Sequence, residues 1–112
     1  MPQQPDIRKY LEDISRCIDA IDIHLNYKRD FNYYIQNITA RRAVEREFTI
    51  IGEAMNRILK IKPDIEISHA RRIVDLRNIV SHAYDSITNE GIWGIVINDL
   101  PKLKIEVDAL LN

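Results

Sequence analysis

Eight consecutive residues, Arg77 to Tyr84, bring together side chains that can act on a phosphate ester; we name this stretch the motif segment. Arg77 is permanently charged, and its planar fork of N–H donors matches phosphate oxygens. His82 carries an imidazole, which ordinarily titrates at about pH 6.5 and can therefore accept or donate a proton. Asn78 adds an amide and Tyr84 a phenol. No other part of the chain collects as many groups of this kind, so the motif segment is the candidate active site.

Cleavage of RNA without a metal ion needs a base for the 2′-hydroxyl, an acid for the leaving 5′-oxygen and positive charge beside the phosphorane. Two copies of His82 across a dimer could supply the base and the acid, while Arg77 holds the phosphate. Asn78 could donate to a phosphate oxygen or orient His82. From the residues alone a second interpretation stays open, in which Arg77 and His82 pair with carboxylates at an interface and Tyr84 covers the core.

The spacing within the motif segment limits how one helix could present these groups. On an ideal α-helix, Asn78 and His82 share a face because they are four residues apart. Arg77 and His82 are five residues apart and therefore point about 140° away from each other. Either the helix ends near Ser81, or two copies of the segment face each other across a two-fold axis and line one cleft together.

The rest of the chain predicts an all-α bundle of four or five helices in a single domain, residues 1–112. Apolar residues recur at steps of three or four, and no stretch shows the two-residue alternation of a strand. The predicted helices are one from Asp6 to about Leu25, a short one at Phe31, one from a Thr39 cap to about Ile61, one from a Ser68 cap through the motif segment, and a last one from Thr88 or Asn89 that Pro101 kinks or restarts.

Two features inside these predicted helices bear on packing. Gly52 lies within the long middle helix, where glycine costs about 1 kcal/mol relative to alanine, so we expect another backbone to approach it closely. Glu53 beside it could pair with an arginine or be exposed. Phe31, Tyr33 and Tyr34 form an aromatic cluster, which we expect to pack onto neighbouring helices; a platform for stacked bases is the alternative.

The net charge of −1 conceals an uneven distribution. Residues 28–77 carry eleven Lys and Arg against seven Asp and Glu, whereas both ends of the chain are acidic. A basic middle could attract a polyanion, although ordinary solvated helix faces would give the same count. No apolar run approaches the roughly 20 residues of a membrane span, and the N-terminus lacks a signal-peptide pattern. The lone Cys17 forms no internal disulfide, and no CxxC pair indicates zinc, so we expect a cytoplasmic protein without membrane, metal or cofactor.

The motif segment resembles the Arg-x4-His-x-Tyr motif of the HepT-like ribonucleases, a branch of the HEPN superfamily. Two further blocks resemble the same family in the same order. Residues 43–46 (AVER) and 50–54 (IIGEA) are similar to its second core helix, and Trp93 with Leu100-Pro101 is similar to its last helix. The resemblance covers nearly the whole chain.

This resemblance implies a helical-bundle homodimer whose two motifs meet in a cleft, and a metal-independent endoribonuclease acting as the toxin of a toxin–antitoxin pair. By position, Arg77 and His82 would be catalytic, Asn78 would support them and Tyr84 would border the site. The implied partner is an MntA-type nucleotidyltransferase, which would silence the toxin by transferring AMP from ATP onto Tyr84. A bulky anionic group there would occupy the place of the RNA phosphate.

Two other functions remain open at this point. The chain could be a non-catalytic helical binding partner that presents Tyr84 or a groove to a nucleotidyltransferase. It could also be a helical oligomer in which the motif segment is only interface. The nuclease requires Arg77 and His82, whereas the binding partner should tolerate the loss of the imidazole.

Overall fold

The computed structural model describes residues 6–78 and 88–112, and every regular element within these ranges is helical. The elements are α1 (Ile7–His24), α2 (Phe31–Gln36), α3 (Ile38–Ile61), α4 (Ala70–Val74) continued by a 3₁₀ turn (Asp75–Asn78), and a last helical rod made of α5 (Asn89–Gly94), a π-helical segment (Ile95–Asp99) and α6 (Leu100–Leu111). The prediction of an all-α fold is confirmed. None of the helices in the described ranges is long and apolar enough to cross a membrane.

The core lies between α1, α3 and α6, and α1 packs along α3 over much of its length. Each of these helices buries one apolar stripe, as the sequence periodicity predicts. The largest fully buried side chains come from these three helices, from Leu25 after α1, from Tyr34 of α2 and from Val96 of the π segment. Those of the three helices are Ile14, Ile21, Val44, Phe48, Ile51, Met55, Ile58, Leu103 and Val107. α4 and the 3₁₀ turn pack onto α3, so the first part of the motif segment rests on the central helix.

Helix α3 begins two residues earlier than the sequence predicts. Its N-cap is Asn37, whose side-chain Oδ1 accepts the backbone N–H of Ala40 at 2.9 Å. The predicted cap at Thr39 is therefore wrong. Asn is a somewhat stronger N-cap than Thr, and the extended backbone of Asn37 (φ −113°, ψ 96°) suits that position.

The predicted cap at Ser68 is also wrong, because that side chain has another role. Both the backbone N–H and the Oγ of Ser68 donate to Glu106 Oε2, at 3.0 Å and 2.8 Å, which ties this loop to α6. The residue at the start of α4 is instead His69, in the left-handed conformation (φ 58°, ψ 31°), and its side chain makes no capping hydrogen bond. At the last rod the prediction of Thr88 is confirmed, since its Oγ1 accepts the N–H of Gly91 at 3.1 Å.

The predicted restart of the last rod is confirmed, since α6 begins at Leu100 with Pro101 in its first turn, directly after the π segment. The N–H of Leu100 bonds to the carbonyl of Ile95, five residues back. In that register the carbonyl of Val96 faces Pro101, which has no N–H to donate. The side chain of Arg29 fills this gap, with Nη1 donating to Val96 O at 3.2 Å. A guanidinium from the α1–α2 loop thus supplies the hydrogen bond that the helix itself cannot make.

Candidate active site

Arg77 and Asn78 end the 3₁₀ turn that follows α4. The residues before them are anchored in the core, since Ile73, Val74 and Leu76 are all buried. Arg77 is half-buried and Asn78 is exposed. The two candidate phosphate-binding groups therefore stand at the end of a short segment whose apolar side chains hold it against α3.

Gly52 of α3 determines how closely that segment can approach. A Cβ at position 52 would fall on the backbone nitrogen of Arg77 and would lie 2.9 Å from both Arg77 Cβ and Val74 O. Such distances are well below the 3.5–4.0 Å of an ordinary carbon contact. The expected close approach of another backbone to Gly52 is confirmed, and the approaching backbone is that of Arg77.

The separation of about 140° between Arg77 and His82 was calculated for one straight α-helix. Arg77 does not lie on such a helix. The α-helix ends at Val74, and the chain then turns with the tighter 3₁₀ geometry, in which about three residues complete a turn. The predicted helix through the whole motif segment is therefore wrong at its first part. Three residues of the motif segment lie outside the described residues: Ser81, where the helix was expected to end, His82 and Tyr84.

Phe31 and Tyr34 of the aromatic cluster pack onto the bundle as predicted, together with Trp93 of α5. The ring centroids of Tyr34 and Trp93 are 5.6 Å apart, and those of Phe31 and Trp93 are 5.9 Å apart. Tyr34 has no exposed surface, so it cannot stack on a base. Within the described ranges its buried hydroxyl has no hydrogen-bond partner. Burial, and then the charge of Glu45, raises the pKa of Tyr34 to about 12. The cluster attaches α2 and α5 to the bundle.

A second group of reactive side chains lies between α1 and α3, and sequence reasoning did not identify it. His24 Nε2 lies 2.7 Å from Glu47 Oε2, and the buried Cys17 of α1 lies near Glu47. Burial, then the charge of Glu47, raises the pKa of the Cys17 thiol to about 12. A thiol that holds its proton this tightly is a poor nucleophile. This group therefore joins two helices and does not compete with the motif segment as a catalytic site.

Metal-ligating side chains are dispersed within residues 6–78 and 88–112. No three side chains of His, Cys, Asp or Glu cluster there in a way that could hold one. Glu53, for which pairing and exposure were both open, lies exposed on α3.

Comparison with known proteins finds a family that matches most of the chain. The family model described as "Ribonuclease HepT-like" matches residues 7–110. The chain belongs to the HepT-like ribonuclease family. It is 36% identical over 109 residues to the protein named "Putative RNase MJ1380" of Methanocaldococcus jannaschii, covering 94% of this chain and 96% of that protein. It is 29% identical over 109 residues to "Probable ribonuclease HepT" of Thermococcus cleftensis, covering 92% and 94%. No solved structure matches significantly.

Membership of this family supports ribonuclease activity, and the match spans the whole helical bundle. Both relatives are covered almost from end to end, and their names describe ribonucleases.

Proposed function

We propose that this HepT-like protein is a metal-independent endoribonuclease in which Arg77 and His82 are catalytic and Asn78 supports them. The observation that carries the proposal is the close contact between the backbone of Arg77 and Gly52 of α3. Close contact with the rigid central helix fixes the backbone of the phosphate-binding residue, and such positioning is what catalysis by electrostatic stabilisation requires. The family gives the substrate class, RNA.

The chemistry follows from the groups in the motif segment. One His82 takes the proton of the 2′-hydroxyl as its oxygen attacks phosphorus. The bond from phosphorus to the 5′-oxygen breaks, and a second imidazole gives that oxygen a proton. Arg77 neutralises the charge that grows on the phosphoryl oxygens. The products are a 2′,3′-cyclic phosphate and a 5′-hydroxyl end, and two imidazoles are available if two chains form a homodimer around one cleft.

We propose further that the nuclease is the toxin of a toxin–antitoxin pair, silenced by an MntA-type nucleotidyltransferase. This enzyme would transfer AMP from ATP to the hydroxyl of Tyr84, with release of the phenolic proton and pyrophosphate. Adding AMP places a bulky anion two residues from His82, where it repels the RNA phosphate and blocks access. Replacement of Tyr84 by Phe should abolish incorporation of label from α-labelled ATP while RNA cleavage continues. Retention of label by that variant would exclude Tyr84 as the acceptor.

The deciding experiment compares the parent chain with His82→Ala and Arg77→Ala in cleavage of unmodified RNA with EDTA present, after each protein is shown to be folded and of equal oligomeric state. We expect cleavage by the parent, loss of at least about 100-fold in either variant, and products with cyclic phosphate ends. Loss of the parent's activity on chelation would refute the metal-independent mechanism.

The same comparison separates the nuclease from the non-catalytic binding partner. Induced expression of the nuclease without its antitoxin should arrest growth, and His82→Ala should relieve the arrest. If the variant is as toxic as the parent, or if neither is toxic and neither cuts RNA, His82 is not the catalytic group and the binding function replaces the proposal.

A further inference from the structure

A cavity of about 220 Å³ lies between α4 with its 3₁₀ turn on one side and the last helical rod on the other. Among the described elements, α4 and the turn pack closely on α3 and not on the rod. Two side-chain contacts bridge the gap: Ser68 Oγ to Glu106 Oε2 at 2.8 Å, and Arg72 Nη2 to Asp99 Oδ2 at 3.9 Å. Their order along the two elements is opposite, so α4 and the rod form antiparallel walls of one cavity.

The lining of this cavity combines an apolar floor with a polar rim. Ile73 and Leu76 from one wall and Leu103 from the other are buried. The charged residues of the rim are three carboxylates and two permanent cations: Asp75, Asp99, Glu106, Arg72 and Lys102. With His69 counted as neutral, the lining has a net charge of −1 (two cations less three carboxylates). Such a lining is better suited to an uncharged ring with N–H donors than to a phosphate.

The size of the cavity limits what it can hold. Pockets for drug-sized molecules measure roughly 300–1,000 Å³. A cavity of about 220 Å³ is smaller and is suited to a single ring system, such as one nucleobase, and not to a whole nucleotide.

Two departures from regular backbone geometry border the same cavity. His69 is a non-glycine residue in the left-handed conformation (φ 58°, ψ 31°). Ile95 and Asp99, on the opposite wall, are the first and last residues of the π segment. Left-handed non-glycine residues and π segments are both frequent at functional sites. Their presence on both walls of one cavity supports a binding role for it.

The cavity adjoins the candidate active site along the 3₁₀ turn. Asp75 and Leu76, which line it, directly precede Arg77. In 3₁₀ geometry residues three apart lie one above the other, so Asn78 follows Asp75 on the same side, about 6 Å further along the turn axis. Arg77 lies against Gly52 of α3. A nucleotide whose base occupies the cavity would therefore bring its phosphate to Asn78, with Arg77 beside it.

We propose that this cavity is a base-binding subsite, which takes a cytosine or adenine of single-stranded RNA next to the phosphate that Arg77 binds. The inference rests on the proposed ribonuclease function and deepens it, because it gives the nuclease a sequence preference. Unpaired bases of RNA can be turned out of the stack and read at their hydrogen-bonding edges. Cytosine and adenine carry an exocyclic amino group that a carboxylate accepts, whereas uracil presents a carbonyl oxygen at that position, which a carboxylate repels.

Asp75 is the carboxylate that we assign to the amino group. Glu106 accepts the hydrogen bonds of Ser68, and Asp99 lies beside Arg72, so both already contribute to joining the walls. Asp75 is also the carboxylate of the rim that lies nearest to Arg77 in the sequence. A base bound there is adjacent to the bond that is cut.

The base preference is measured by binding, separately from cleavage. The probes are fluorescent 2′-O-methyl oligouridylates, which lack the attacking hydroxyl and carry a central cytosine, adenine or uracil. The readout is fluorescence anisotropy with the full chain at one salt concentration. We expect the parent to bind at least one of the cytosine and adenine probes about 10-fold more tightly than the all-uracil probe, which is the discrimination of a good base contact.

Two variants and a matched control assign this preference to the cavity. Asp75→Asn should bring the affinity ratio close to one, because an amide can donate to uracil as well as accept from an amino group. Ile95→Phe should do the same without a change of charge, by filling the cavity. Asp64→Asn makes the same charge change at an exposed carboxylate outside the lining and should keep the parent's ratio. Thermal unfolding verifies that each variant is folded.

The subsite is wrong if the parent shows no base preference, or if Asp75→Asn and Ile95→Phe both keep the parent's ratio. Free cytidine and adenosine should compete only weakly, because they lack the phosphates that flank a base in a strand. Competition at the affinity of the oligonucleotide would instead make the cavity a site for a free nucleoside and overturn the RNA subsite. Cleavage of unmodified RNA decides the proposed function independently. A parent that cuts without base preference refutes the subsite alone, and one that binds with the preference but does not cut refutes the nuclease alone.

Discussion

Replacing Gly52 by alanine perturbs the contact that holds Arg77 against α3. The added methyl group would lie 2.9 Å from Val74 O and overlap the Arg77 nitrogen, so the 3₁₀ turn must move outward by roughly 0.6 Å or more to reach ordinary contact. Overpacking of this kind costs about 1–3 kcal/mol. Alanine returns about 1 kcal/mol through helix propensity, which leaves a net loss of about 0–2 kcal/mol in the free energy of unfolding.

The effect of this substitution on catalysis should exceed its effect on stability. A displacement of about 1 Å at a catalytic group can cost on the order of 100-fold in rate, whereas 1 kcal/mol lowers the Tm by only about 4–8 °C in a domain of this size. The assays are RNA cleavage under single-turnover conditions and thermal unfolding. Arg77→Ala in the Gly52→Ala background identifies the cause, because little further loss of rate is expected once Arg77 is displaced.

Gly94 provides a matched control for the Gly52 experiment. A Cβ at Gly94 would meet no heavy atom within 4 Å, so Gly94→Ala should raise the free energy of unfolding by up to about 1 kcal/mol without reducing activity. The two alanines therefore have opposite expected signs. If Gly52→Ala stabilises the protein as Gly94→Ala does and retains full activity, then the contact with Gly52 does not position Arg77 for catalysis.

Three further substitutions test the described packing by chemical denaturation. Arg29→Ala leaves the Val96 carbonyl without a donor and should cost about 1–3 kcal/mol, beyond what loss of a surface ion pair explains. Asn37→Ala should cost about 1 kcal/mol through loss of the α3 cap, whereas Thr39→Ala should cost little; equal losses would contradict the cap assignment. Tyr34→Phe removes a buried hydroxyl without a partner and should stabilise by about 1 kcal/mol at neutral pH. The pKa of Tyr34 is raised from 10.0 to about 12, so between these pH values the folded parent keeps a proton that the unfolded chain loses. The free energy of unfolding of the parent should therefore fall between pH 10 and 12, and Tyr34→Phe should lessen that fall.

The helices were predictable because their apolar spacing is a local property of the sequence. Ile14 and Ile21 of α1 and Phe48 and Met55 of α3 recur at helical intervals, and all four are buried. The errors lie where two groups compete for one role. Thr39 and Asn37 are both suitable caps, and only the path of the chain decides between them.

The candidate site was predictable in its residue types but not in its support. The motif segment identifies Arg77 and Asn78 from their chemistry, while the partner of Gly52 is a tertiary contact 25 residues away in sequence. The same limit applies to the hydrogen bond from Arg29 to the carbonyl of Val96, which lies 67 residues later. Nothing near Arg29 in the sequence indicates that Pro101 will leave this carbonyl without a backbone donor. Which side chain hydrogen-bonds a backbone carbonyl far away in the sequence can be read only from the folded structure.

The π segment has a consequence for how the length of this chain can vary. A helix turn that closes over five residues instead of four takes up one extra residue within a continuing helix. Deleting one residue from Ile95–Asp99, together with Pro101→Ala, should therefore yield a regular helix with Leu103 and Val107 still facing the core. The same deletion within α6 would turn Val107 toward solvent. Homologues that differ by a single residue in length should carry that difference at the π segment.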